Sequence, residues 1–124
     1  MKVVKTDTAP AAIGPYSQAI VSEGLVFASG QIPLSPETGQ IVAKGITEQT
    51  ERVMENIKQI LAAAGSDLSK VVKTTCFLTD LENFGHFNDV YGRYFQNTPP
   101  ARSTVQVAAL PRGALVEVEV IAKV

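Results

Sequence analysis

Arg102 and the pair Glu117 and Glu119 are the side chains whose types and spacing best support chemistry in this 124-residue chain. Arg102 follows Pro99–Pro100–Ala101 and opens an apolar segment, a place where a long cation meets the edge of a cleft. A guanidinium there needs an anion. Its planar fork matches a carboxylate through two parallel hydrogen bonds, each contributing about 1.5–3 kcal/mol where water is excluded. Spacing alone leaves an internal ion pair as the plainer alternative. Glu117 and Glu119 share one face of the last segment with Leu115 and Ile121, while Val116, Val118 and Val120 take the other. Adjacent carboxylates on one strand face repel, and desolvation raises the pKa of at least one of them, which is how proteins tune an acid or a base. A solvated strand face carries the same pattern. A third constellation is Gly14–Pro15–Tyr16–Ser17–Gln18 followed by Ser29–Gly30–Gln31. Its glycines let backbone amides approach a ligand, and the hydroxyls of Tyr16 and Ser29 can orient polar atoms. The same residues also serve as turn and hairpin chemistry, and spacing does not decide between the two.

Other chemistries lose their usual support. There is no Walker loop, GxGxxG, CxxC pair, HExxH or GxSxG. The single histidine, His86, lies between Phe84 and Phe87 and cannot build a histidine-rich metal site, so it reads as a structural or surface residue. The single cysteine, Cys76, cannot form an intrachain disulfide; it fits a reducing compartment and reads as a small buried hydrophobe. With 11 Lys and Arg interspersed among 12 Asp and Glu and a formal charge of -1, no basic stripe is available to neutralise phosphates, and nucleic acid is not an expected partner. The segment Met1–Lys2–Val3–Val4–Lys5 lacks the apolar run of a secretory signal, and no stretch approaches the roughly 18 apolar residues of a membrane span. A cytoplasmic location with no membrane partner is the expectation.

These side chains must be positioned by strands and helices that the periodicity locates. Residues 16–20 and 25–29 read as β segments around a Glu23–Gly24 turn. Residues 46–64 place Ile46, Val53, Met54, Ile57, Ile60, Leu61 and Ala64 on one helical stripe, with Gly65 as its stop. Residues 71–79 read as a strand central to the sheet, residues 81–95 as a second helix, and residues 102–107 and 115–121 as two final strands. Period-two alternation puts Arg102, Thr104 and Gln106 on one face of the first of these. One domain over residues 1–124 is expected, an α+β fold with a single mixed sheet and both helices packed on one face.

Taken together, the segments Ala11–Ala12–Ile13–Gly14–Pro15–Tyr16–Ser17–Gln18–Ala19, Ser29–Gly30–Gln31–Ile32–Pro33, Pro100–Ala101–Arg102–Ser103 and Val116–Glu117–Val118–Glu119 resemble the reactive intermediate deaminase A family, RidA or YjgF, in order and spacing over nearly the whole chain. The resemblance implies a chorismate-mutase-like subunit that assembles as a homotrimer with a ligand cleft at each subunit interface. It implies hydrolysis of 2-iminopropanoate and 2-iminobutanoate, and of their enamine tautomers, to 2-oxo acids and ammonia without metal or organic cofactor. Carried over by position, Arg102 is the carboxylate-binding arginine, Glu117 the glutamate that orders or activates water, and Tyr16, Ser29 and Gly30 line the pocket, with Asn88 a weaker match. Arg102 is expected to face Glu117 within the intersubunit cleft, the two being assigned to neighbouring terminal strands. Thr104 stands where many members have cysteine, which excludes a thiolate nucleophile there and leaves a small side chain and backbone groups for the substrate. Gln106 stands where glutamate is frequent, a loss of charge at the pocket edge or a subunit contact. Two other classes fit the resemblance: a trimeric small-ligand binder or chaperone-like module with little turnover, and a ribonuclease or translation inhibitor, the latter disfavoured by the missing basic patch.

Overall fold

The computed structural model describes residues 1–42 and 44–124. Strands β1 (Lys2–Val4), β2 (Ala19–Ser22) and β3 (Leu25–Gln31) are followed by helix α1 (Ile46–Ala63), strand β4 (Val71–Leu78), helix α2 (Phe84–Tyr94) and strands β5 (Ala101–Gln106) and β6 (Val116–Lys123). The strands form one sheet in the order β1-β2-β3-β6-β4-β5, in which only β4 and β5 run parallel. The expected mixed sheet and α+β architecture are observed. β1 was not anticipated: its three residues, with two valines between lysines, carry too short a pattern to register as a strand.

Local chemistry explains the element ends. Glu23 and Gly24 both adopt positive φ, 53° and 75°, as a two-residue hairpin between right-twisted strands requires. At the end of α1, Gly65 takes φ 79°, and the bonds Ser66 N–H to Leu61 O (2.8 Å) and Gly65 N–H to Ala62 O (3.0 Å) close a Schellman motif. The helix expected over 81–95 is divided. Asp80 accepts from Glu82 N–H (2.9 Å) and caps a 3-10 turn over Leu81–Asn83, after which α2 begins at Phe84.

Every apolar residue of the expected α1 stripe is buried, from Ile46 to Ala64. Each fully buried Ile or Leu contributes about 1.5–3 kcal/mol by removal from water. The stripe also holds polar residues that the periodicity passed over. Asn56, fully buried, donates to Leu34 O (3.0 Å) and fixes the loop after β3, while Gln49 accepts from Leu115 N–H (2.8 Å) and fixes the start of β6.

α1 and α2 cover one face of the sheet, where Val26, Ala28, Cys76, Leu78, Val116, Val118 and Val120 join the core. The other face carries the alternate residues of the same strands. In this chain it is open: Phe27 is 42% exposed and Val105 44%. No helix among the described residues is long and apolar enough to cross a membrane.

Candidate active site

Arg102 lies near the start of β5, at the edge of the sheet, and its pairing with Thr74 of β4 puts its side chain on the helix-covered face. There α2 presents Phe84, Phe87 and Tyr91 at helical spacing. The guanidinium carbon stands 5.4, 5.8 and 4.8 Å from their ring centroids, an arrangement in which each ring's negative face stabilises the cation. Asn88, on the same side of α2, accepts from Arg102 Nη1 at 2.8 Å and sets the orientation of the fork. Among the described residues Arg102 has no carboxylate partner, so the internal ion pair is not formed. A half-buried cation held by a neutral amide and aromatic rings keeps donors for an external anion.

Thr104 is next on the same face, beside Cys76. Its Oγ1 is buried without a hydrogen-bond partner of normal geometry among the described residues, a cost of about 1–3 kcal/mol unless a ligand or water satisfies it. With Arg102, Leu81 and Phe84 it lines a depression of about 410 Å³. Gln106 accepts from Leu81 N–H (2.8 Å), so the neutral amide ties the rim of this depression to β5. Cys76 is fully buried, and burial pushes its thiol pKa up, as expected of an unreactive core residue. His86 is on the surface of α2.

Glu117 is elsewhere. β4 separates β5 from β6, so the two terminal strands are not neighbours. Glu117 pairs with Phe77, whereas Arg102 pairs with Thr74; three residues of offset along β4 place the two side chains on opposite faces of the sheet. Within one chain the cation and the carboxylate therefore do not meet. Glu117 instead enters a cleft of about 550 Å³ lined by Tyr16, Ser29, Gly30, Arg112 and Glu119.

The cleft is shaped by a bulge in β3, where the register with β6 shifts between Ala28 and Gln31 and leaves Ser29 and Gly30 out of step. Gly30 has a steric reason: a Cβ there would lie 2.1 Å from Glu117 Oε2. The glycine makes room for the carboxylate, a role not evident from its place in the sequence. Ser29 Oγ is already committed, donating to Ser17 O at 2.6 Å, and Tyr16 Oη accepts from Ile13 N–H at 3.3 Å, which leaves its own proton to donate. Burial raises the pKa of Glu117 above its ordinary value, and the Glu119 carboxylate raises it further. Glu119→Gln is accordingly expected to move the acidic limb of a Glu117-dependent rate to lower pH, because removing a like charge makes the ionised base easier to form. A kcat/KM profile against pH reads this directly; a limb that stays in place contradicts it.

The expected residues thus fall into two groups, Arg102, Asn88 and Thr104 on one face and Tyr16, Ser29, Gly30 and Glu117 on the other. The aromatic cage was missed as a site feature, since Phe84, Phe87 and Tyr91 at helical spacing read first as core. Arg112, which lines the Glu117 cleft and donates to Gly39 O at 2.8 Å, carries no signal in sequence beyond its place in the Leu110–Pro111–Arg112–Gly113 connection.

A small α+β domain with a caged arginine on one sheet face and a half-buried glutamate on the other is the arrangement set beside known proteins. The chain belongs to the family described as Endoribonuclease L-PSP, also called YjgF/RidA, which matches residues 6–124. It is 58% identical over 123 residues to Protein DfrA of Myxococcus xanthus, covering 98% of this chain and 94% of that protein. It is 50% identical over 121 residues to the 2-iminobutanoate/2-iminopropanoate deaminase of Mus musculus, covering 98% of this chain and 90% of the mouse protein. The crystal structure of Escherichia coli TdcF with bound serine superposes with a TM-score of 0.95 at 44% identity, covering 100% of this chain and 99% of that one.

Proposed function

We propose that the protein hydrolyses 2-iminopropanoate, 2-iminobutanoate and their enamine tautomers to pyruvate or 2-oxobutanoate and ammonia, in sites built between the subunits of a homotrimer. The carrying observation is that Arg102 is caged and, among the described residues, without a carboxylate partner, on a face that cannot reach Glu117 of its own chain. The mouse relative's name and the serine in TdcF supply the substrate class, a small amino acid derivative with a free carboxylate.

In this mechanism the substrate carboxylate takes the free donors of Arg102, and Asn88 keeps the guanidinium in plane with it. The imine nitrogen is protonated, which makes its carbon electrophilic. Glu117 of a second copy accepts a proton from water, and the resulting hydroxide adds to that carbon to give a tetrahedral carbinolamine. The amine takes the proton held by Glu117 and leaves as ammonia as the C–N bond breaks; the hydroxyl oxygen becomes the carbonyl, and its proton returns to solvent in place of the one the imine nitrogen took up. Tyr16 and the backbone at Ser29 and Gly30 orient the polar atoms of the adduct. An imine is already reactive, so positioning and electrostatic stabilisation suffice.

Phe27 and Val105, both solvent-exposed, lie on the open sheet face with Glu117. Burying that face against the β5 edge of another copy, where Arg102 lies, would bring the two half-sites together, and a trimer accommodates this. The test generates the imine from threonine with a dehydratase and follows its decay with and without the purified protein. Accelerated decay supports the reading. Unaltered decay with saturable binding of a 2-oxo acid would turn it into the binding module, and RNA cleavage abolished by Arg102→Ala would turn it into a nuclease.

A further inference from the structure

Between β1 and β2, residues 5–18 have no regular structure, yet they form one wall of the Glu117 cleft through Pro10, Ile13 and Tyr16. Irregular backbone of this kind needs partners for its polar groups. Gln18 supplies them. The residue is 4% exposed, and its side-chain amide makes four hydrogen bonds to the segment: Nε2 donates to Thr6 O (3.1 Å), Ala9 O (3.4 Å) and Pro10 O (2.8 Å), and Oε1 accepts from Thr6 N–H (2.7 Å). Two amide hydrogens serve three carbonyls, so one hydrogen is shared, and both donors of the side chain are committed. The backbone of the same residue continues the connection. Gln18 O accepts from Ser29 N–H at 2.9 Å, next to Gly30 and the carboxylate of Glu117.

We propose that Gln18 is a positioning residue for imine hydrolysis, its buried amide tying residues 6–10 down so that the wall carrying Ile13 and Tyr16 meets the substrate in one conformation. The inference rests on the deaminase reading. Few side chains of the segment reach the core, chiefly Ala9, so its order depends on this amide more than on apolar burial. Loosening it therefore acts on the cleft before it acts on the fold.

Gln18→Met keeps the length and burial of the side chain but donates no hydrogen bond. Its KM for 2-iminobutanoate is expected to rise about ten- to a hundredfold with a smaller change in kcat, because the reacting groups on β5 and β6 are untouched. Amide exchange should accelerate across residues 6–13 and stay unchanged in α1, which separates local loosening from general instability. Should Gln18→Met fail to fold, Thr6→Pro, which removes the N–H that Oε1 accepts together with the exposed hydroxyl contacts to Thr8, is expected to change KM and exchange in the same direction, with Thr6→Val, which removes the hydroxyl alone, leaving both near wild type. A wild-type KM alongside faster exchange overturns the inference, as does unchanged exchange in the variant. Wild-type protein with no imine hydrolysis would instead sink the deaminase reading on which it stands.

Discussion

Arg102→Ala is expected to lower kcat/KM for 2-iminobutanoate about 10²- to 10⁴-fold, most of it through substrate affinity. Two charge-assisted hydrogen bonds of about 1.5–3 kcal/mol each would be lost, and about 1.4 kcal/mol corresponds to a factor of ten. Arg102→Lys keeps the charge but not the planar fork or its contact with Asn88 and the rings, and should recover only a small part of the activity. The measurement is steady-state decay of imine generated from threonine. Wild-type rates in Arg102→Ala contradict the assignment outright. Stability should fall only by the loss of the Asn88 hydrogen bond and the ring contacts, since the guanidinium has no ion pair to lose among the described residues.

The second large effect belongs to Glu117. Glu117→Gln preserves size and fits the space left by Gly30, so the cleft keeps its shape while losing its base. A positioned general base contributes about 10²- to 10⁴-fold, and the loss should fall on kcat with KM little changed, the opposite of Arg102→Ala. Pre-steady-state or full progress-curve analysis separates the two parameters. A variant in which only KM moves would make Glu117 a binding group and leave water activation to another residue.

Most of the fold was legible because its signals are local. The α1 stripe, the Gly65 stop and the Glu23–Gly24 hairpin each follow from a few consecutive residues. The order of the strands is not local. Nothing near Arg102 or Glu117 says that β6 inserts between β3 and β4, so two terminal strands expected to be neighbours are separated by a third. The alternation on each strand was read correctly, with Arg102, Thr104 and Gln106 together and Glu117 with Glu119. What periodicity cannot supply is the phase between strands, and that phase sends the two chemistries to opposite faces.

The candidate residues were found on similar terms. Arg102 and Glu117 stood out as charges in apolar strands, and Asn88 entered only through the family resemblance before the structure placed it against Arg102. Gln18 was visible as part of a motif, but its role is invisible in sequence because its partners are main-chain carbonyls of residues 6, 9 and 10. The opposition of Arg102 and Glu117 also changes what a single chain can do. Neither half-site completes the proposed reaction within one chain, so the proposal makes activity depend on assembly.

Mixing two inactive variants tests this most directly. Arg102→Ala and Glu117→Gln subunits, denatured together in equal amounts and refolded, should regain about a quarter of wild-type activity, because a quarter of randomly assembled interfaces pair an intact Arg102 with an intact Glu117 from the next copy. Each variant refolded alone should stay inactive. Co-assembled trimers, verified by native mass, that remain as inactive as either parent would contradict a site shared between subunits.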